Sequence, residues 1–347
     1  MLVNPFRFGV VVPPVLGNGT WTELGRVTLG APAAEMDVQG LANKKYLMYL
    51  YNTLGSSGIT NGRMIFNNNF NADYAIRFST NGAADSTQTL QSDGIDVDLT
   101  GNTSPKFSFG VISNLLNHQK FAQCWNQDVN LTGAGNVPQR REVVGKMDIT
   151  TSGAVIDRIN FRTTVNTYLT GSEAVILGWD ADTDTHNTDA NFWKPLASVD
   201  LSSPADNFNV TIPARRWLFM ECFERPTGGV TEHRIRFNGL TTAIFATRSA
   251  INGAADTLVS TTTAVFPVNS DALPKHWYAY MVNVSSTEKY IQLFGNNFAV
   301  GSGVSPTRRD VVGKYSLTGS QVTSIEIENI GAGSYDSGSF FRVWGSD

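Results

Sequence analysis

Two pairs of arginines are the residues best suited to chemistry in this chain, because a guanidinium fork can read a carboxylate or sulfate through paired hydrogen bonds. Arg140-Arg141 sits in Pro138-Gln139-Arg140-Arg141-Glu142-Val143-Val144-Gly145-Lys146, and Arg308-Arg309 in Pro306-Thr307-Arg308-Arg309-Asp310-Val311-Val312-Gly313-Lys314. Arg140 and Arg308 are the candidate anion or glycan contacts. In an extended strand Arg140, Glu142, Val144 and Lys146 share one face, and Arg141, Val143 and Gly145 the other. A structural reading therefore stands beside the functional one: an arginine next to an acid pairs across strands and steadies a sheet edge. That the motif occurs twice favours the structural reading, since duplicated ligand sites often diverge.

A cation is the next chemistry to weigh. Asp180, Asp182, Asp184 and Asp189 crowd one stretch and could supply oxygen ligands to Ca²⁺. The stretch lacks the glycine at position six and the glutamate at twelve of an EF-hand loop, so a solvated acidic linker over 181–191 is the plainer account. The histidines, His118, His186, His233 and His276, have no counterparts of one another at the repeat spacing, and HExxH, GxSxG and GxxxxGKS patterns are absent. No zinc, serine or phosphate chemistry is expected from them. A glycoside hydrolase needs two carboxylates, which spacing does not exclude, but the expectation is a protein that is not an enzyme and carries no cofactor. Cys124 and Cys222 do not occupy equivalent positions and read as buried thiols; two cysteines at this spacing do not make a Cys/His metal site. Trp125, Trp193, Trp217, Trp277 and Tyr278 could stack on sugars, although most flank strands, where core packing explains them.

What must position these residues is a module that occurs twice. The arginine motif repeats 168 positions on, from 140 to 308. Trp21, Leu24, Val27 and Leu29 return as Trp193, Leu196, Val199 and Leu201, and Lys44-Lys45-Tyr46-Leu47 as Arg215-Arg216-Trp217-Leu218. Arg63, Phe66 and Asn67 return as Arg234, Phe237 and Asn238, and Asn81-Gly82-Ala83-Ala84-Asp85 as Asn252-Gly253-Ala254-Ala255-Asp256. The expected organisation is an N-terminal arm over 1–20, repeat 1 over 21–180, the acidic linker over 181–191 and repeat 2 over 192–347. Short runs at Tyr46–Tyr51, Arg63–Phe66, Tyr74–Phe78, Lys106–Val111 and Ile159–Phe161, parted by Gly, Asn, Ser and Asp, predict strands. Asn-Gly pairs at 61, 81 and 252 suit type I′ hairpin turns. Val322, Ser324, Glu326 and Glu328 alternate with Ile325 and Ile327, and Val111–Leu116 could form a short helical turn. The fold class is all-β: two tandem antiparallel β-sandwich, jelly-roll-like domains behind an extended arm.

Composition narrows the partners. The chain is 41% hydrophobic, enough for two cores, and its 16% of charged residues falls below the roughly 25% of an average domain. A surface solvated by Asn, Ser, Thr and Gly suits a protein that works in an assembly or outside a cell. A net charge of −4 argues against nucleic acid as a partner, and without a run of 18 apolar residues no membrane insertion is expected. Residues 1–20 lack the layout of a secretory signal. Pro5, Pro13 and Pro14 hold this apolar stretch extended, and Pro5, Phe6 and Phe8 are the candidate contacts of an arm that docks on a neighbouring subunit.

Four stretches carry a resemblance: Asn4-Pro5-Phe6-Arg7-Phe8-Gly9; Tyr74-Ala75-Ile76-Arg77-Phe78-Ser79 with Asn81-Gly82; the joint from Gly178-Trp179-Asp180 to Asn191-Phe192-Trp193; and the ending from Gly338-Ser339 to Val343-Trp344-Gly345. Through them the chain resembles virion structural proteins of tailed bacteriophages. The resemblance implies a non-enzymatic subunit on the particle exterior, a homo-oligomer among other virion proteins, in a fibre or baseplate-proximal tail position and exposed to a host surface glycan. A capsid decoration or cement protein and a carbohydrate-binding module are the alternatives.

Overall fold

The computed structural model describes residues 20–58, 61–98, 103–148, 154–163, 165–180, 190–265, 270–297 and 305–347. The expected arm contacts Pro5, Phe6 and Phe8, and most of the acidic linker, lie outside the described residues. Among the described residues every regular element is a β-strand. They form two compact units: residues up to Asp128 with Arg140–Phe192, and Val129–Gln139 with Trp193–Asp347. The second unit thus contains a stretch, 129–139, that runs up to Arg140-Arg141 in the sequence.

In the first unit the strands are β1 (Thr22–Thr28), β2 (Glu35–Gln39), β3 (Tyr46–Thr53), β4 (Gly62–Phe66), β5 (Tyr74–Thr80), β6 (Ser86–Gln91), β7 (Ile95–Asp96), β8 (Lys106–Ser113), β9 (Lys120–Asp128), β10 (Gln139–Met147), β11 (Arg158–Thr163) and β12 (Glu173–Trp179). One sheet runs β1-β12-β3-β8-β9-β10-β5-β6 and the other β2-β11-β4-β7. The chain passes back and forth between the sheets, the winding of a jelly roll. Tyr49, Ile76, Cys124 and Ile176 from the larger sheet meet Met36, Met64 and Phe161 from the smaller one in a single core.

The second unit comprises β13 (Lys194–Asp200), β14 (Asn207–Thr211), β15 (Trp217–Glu224), β16 (Pro226–Thr227), β17 (His233–Phe237), β18 (Phe245–Ile251), β19 (Thr257–Thr262), β20 (Lys275–Val282), β21 (Lys289–Asn297), β22 (Thr307–Tyr315), β23 (Ser324–Asn329), β24 (Ser334–Tyr335) and β25 (Phe340–Ser346). Its larger sheet, β13-β25-β15-β20-β21-β22-β18-β19, repeats the order of the first unit strand for strand. Opposite it stands β14-β23-β17, and β16-β24 is an added pair.

The repetition extends to irregularities. A bulge interrupts β1 between Glu23 and Gly25 and β13 between Pro195 and Ala197. Another lies in β6 opposite Tyr74–Ile76 and in β19 opposite Phe245–Thr247, where Leu90 and Thr261 take positive φ. Bulges re-aim side chains and are kept as features of a fold.

Asparagines are equally matched. Asn67 and Asn238 both have positive φ, 52° and 55°. The Asn67 side-chain oxygen accepts from the backbone N–H groups of Asp157 and Arg158, and that of Asn238 from those of Thr323 and Ser324. Asn114 and Asn283, which no motif had singled out, donate to the Lys44 and Arg215 carbonyls and accept from the Ile156 and Val322 N–H groups. Each asparagine substitutes for backbone pairing where a strand ends.

The turns at 81 and 252 form as expected. Asn81 and Gly82 have φ of 54° and 71°, Asn252 and Gly253 of 53° and 73°, and each turn closes with an N–H donating to the carbonyl three residues back. This is the mirror-image turn that matches strand twist. Gly82→Val and Gly253→Val are each expected to cost about 1–3 kcal/mol, since a β-branched residue does not reach this conformation without strain. Gly319→Val, at an open position with no positive φ, should stay within about 0.5 kcal/mol; urea titration of the three variants checks the contrast.

Three local expectations are corrected. Asn61-Gly62 is no hairpin turn: Gly62 opens β4, where an added Cβ would come within 2.7 Å of the Asp98 carboxylate. Val111–Ser113 completes β8 instead of starting a helical turn, because its backbone is committed to β3 and β9. Val322 does not share the polar face of Ser324, Glu326 and Glu328; it precedes β23 and is fully buried in the core.

Candidate functional site

The two repeated motifs meet in space. In the first unit Asn81 donates its backbone N–H to the Arg140 carbonyl at 3.0 Å and accepts the Arg140 N–H on its side-chain oxygen at 3.0 Å. In the second, Asn252 does the same to Arg308, at 2.9 Å both ways. Gly145 and Gly313 lie against Ile95 and Ile291, with no room for a Cβ. Asp85 and Asp256 pair with Arg77 and Arg248, each at 3.4 Å. The doubled motif and the doubled Asn-Gly turn are therefore one structural corner, written twice.

The candidate anion contacts differ between copies. Arg140 is buried and its Nη1 reaches Glu142 Oε1 at 2.5 Å; Arg308 is exposed and its Nε reaches Asp310 Oδ2 at 3.1 Å. Each arginine pairs with the acid two residues on, along its own strand face. The neighbouring Arg141 turns inward, with its guanidinium 3.8 Å over the Phe78 ring and bonded to Asp96, which also binds Arg63. Burial pushes Arg141 down to about 10, and the Arg63 charge adds to the effect.

Other ionisable residues are also invested in the interior. Lys106 pairs with Asp98 at 3.3 Å, both buried, and burial raises the Asp98 carboxyl. In the second unit His233 Nδ1 lies 2.7 Å from Glu224 Oε2 and 2.9 Å from the Tyr335 hydroxyl, while Trp277 donates to Glu224 Oε1 at 3.1 Å. Lys275 donates to Thr231 Oγ1 at 2.6 Å and to the Asp271 carbonyl at 2.8 Å. The sequence signal for these clusters was the repeated lysine at 106 and 275; nothing local marked Glu224 or His233. Both cysteines are buried and free, and burial pushes the Cys124 thiol up to about 12, which keeps it protonated and inert.

Lys289 gives a pH signature. Its ammonium donates to the Thr287 and Leu317 carbonyls, each at 2.8 Å, and burial pushes it down to about 8, partly offset by Glu288. Below that value the folded and unfolded chains both hold the proton. Between about 8 and the unfolded value near 10.4 the unfolded chain holds more, so this lysine's contribution makes stability rise with pH across that window. Melting curves from neutral pH upward should show an increment in the parent protein that Lys289→Met removes.

Trp217 and Trp277 are buried, whereas Trp193 and Tyr278 belong to one line of ring contacts that runs from Trp193 through Tyr280 and Tyr278 to Phe294. Trp125 lines an open groove of about 200 Å³, with Arg77, Ser79, Asp85, Gln123 and Glu142. For Ca²⁺, Asp180 is buried and pairs with Lys45 at 3.6 Å; Asp182, Asp184 and Asp189 lie outside the described residues. Among the described residues no cluster of three His, Cys, Asp or Glu suits a metal ion.

In the second unit the face that corresponds to this groove carries the stretch 129–139. Arg248 Nε donates to the Pro138 carbonyl at 2.8 Å, Lys314 Nζ to the carbonyls of Leu131 and, at 3.5 Å, Val129, and the Thr261 N–H to the Ala134 carbonyl at 2.8 Å. The Gly133 N–H donates to Glu288 Oε1 at 2.5 Å. Glu288 is also 3.6 Å from Lys314.

No protein-family model and no curated protein matches the chain. Among solved structures it is similar to domains LG4-5 of the mouse laminin alpha1 chain, with TM-score 0.20 and 11% identity over 99% of this chain and 93% of that one. It is also similar to a T=3 Penaeus vannamei nodavirus, with TM-score 0.17 and 7% identity over 97% and 92% of the two chains. These superpositions are too slight to carry an argument about function.

Proposed function

We infer that the protein is a non-enzymatic structural subunit of a tailed-bacteriophage particle, tail-associated in a fibre or baseplate-proximal position and exposed to the host surface. The observation that carries this reading is the stretch 129–139, a bent segment, not a strand, that packs as part of the second unit although it belongs by sequence to the first repeat. A face whose side chains and backbone hold a segment from the other repeat is suited to assembly. The ionisable pairs support the same reading, because Glu224-His233 and Asp96-Arg141 are buried as fold elements.

Quantitative mass spectrometry of purified particles tests it. A small number of copies per particle is the expected result. Hundreds of copies would move the protein to the capsid surface as a decoration subunit, and particles without it would overturn the reading.

A further inference from the structure

The face of β18, β22 and β21 in the second unit is occupied by 129–139, whereas the face of β5, β10 and β9 in the first unit is open. Equivalent side chains show the contrast. Val144 is 47% exposed against 5% for Val312, and Phe121 is 53% exposed against 1% for Tyr290. The Arg77 side chain is 58% exposed against 13% for Arg248. The groups that hold the segment are nevertheless present on the open face. Arg77 stands where Arg248 binds Pro138, Lys146 where Lys314 binds Leu131, and Gln119, whose amide oxygen can accept an N–H, where Glu288 binds Gly133.

The sequence also holds a second segment of the matching kind. Gly133-Ala134-Gly135-Asn136-Val137-Pro138 precedes β10, and Gly301-Ser302-Gly303-Val304-Ser305-Pro306 precedes β22, a shared G-x-G-x-x-P at the motif's own spacing. Gly133 adopts φ 88°, open to glycine and strained for other residues.

We propose that the open face of the first unit binds residues 298–306 of a second copy of this chain, as 129–139 binds the equivalent face of the second unit. This rests on the reading of the protein as an assembling subunit. The contact is heterologous: one copy gives a segment and the next gives a face, so the association runs head to tail and ends in a ring or a filament. A peptide of this length buries less than a standard interface, and affinity in the micromolar range follows.

The test uses the full chain in sedimentation velocity across a concentration series, with melting curves to confirm that each variant folds. The parent protein is expected to self-associate. Val144→Asp with Arg77→Glu spoils the face, and Gly301→Pro spoils the segment by removing an N–H and fixing φ near −65°; each is expected to weaken association at least about tenfold. Mixing the two variants restores one contact, because the face variant still offers its segment and the segment variant its face, and a heterodimer is expected. A parent protein that stays monomeric, variants that associate unchanged, or a mixture without heterodimer would overturn the proposal. So would association that survives Gly301→Pro but is lost on deleting residues 1–19, which would give the face to the arm, or a monomer whose face binds a glycan on an array and loses it with Val144→Asp. Detection of the protein in purified particles is independent of these outcomes, so the virion reading and this contact fail separately.

Discussion

Asp96→Ala is expected to destabilise the first unit by about 3–5 kcal/mol, the range for a buried charge left without its partner. Asp96 binds Arg63 through one carboxylate oxygen and Arg141 through the other. Arg63 also reaches Asp93, but at 3.5 Å and at a half-exposed partner. Without Asp96 two guanidiniums face each other in a site that already pushes Arg141 down to about 10. Urea unfolding measures the loss, and hydrogen exchange should place it in peptides of β4, β7 and β10. The apolar replacement Arg63→Met, Asp96→Leu and Arg141→Met together should recover most of the stability, since removing the three charges of this triad also removes their desolvation cost. A triple variant as unstable as Asp96→Ala would mean that packing, not charge, sets the effect.

Glu224→Ala should produce a loss of similar size, about 3–5 kcal/mol, in the second unit. Glu224 is fully buried and accepts from Trp277 Nε1, lies 2.7 Å from His233 Nδ1 and receives a weak 3.5 Å contact from Cys222. His233 is held a second time by Tyr335, with the rings stacked at 5.5 Å. Truncation leaves the indole N–H and the imidazole facing an empty, dry space. Glu224→Gln keeps an acceptor of the same shape and should cost less, about 1–3 kcal/mol, because only the charge-assisted part of each bond is lost. Calorimetry of both variants orders them; Gln as damaging as Ala would show that the carboxylate charge itself is indispensable.

These two sites also mark the limit of reading the chain by its repeat. Asp96 and its two arginines hold the first sandwich, while the positions of Glu224 and His233 correspond to Thr53 and Gly62 in the first copy. The slot at the end of β3 and β15 is filled by different chemistry in each unit. Neither copy's sequence predicts the other's there, because a buried polar group needs a complete set of partners and many sets will serve. Two of the aromatic candidates went to the core for a related reason. Trp217 and Trp277 lie on strands whose alternation looked the same whichever face was wet, and burial on both faces of the larger sheets erased the distinction that period-two patterning relies on.

By itself the sequence determined the duplication, the strands and the mirror-image turns at Asn81-Gly82 and Asn252-Gly253, because each is written in neighbouring residues: alternation, strand breakers and a backbone conformation open to Asn and Gly. The tertiary structure alone decided that Arg141 turns inward to Asp96 while Arg308 stays in water. It likewise decided that Glu224 meets His233 and that 129–139 is held by Lys314 and Arg248, whose positions lie far along the chain. Such pairings draw their energy from burial and from partners brought close only by the folded sheets, and no local pattern encodes which distant residue will arrive.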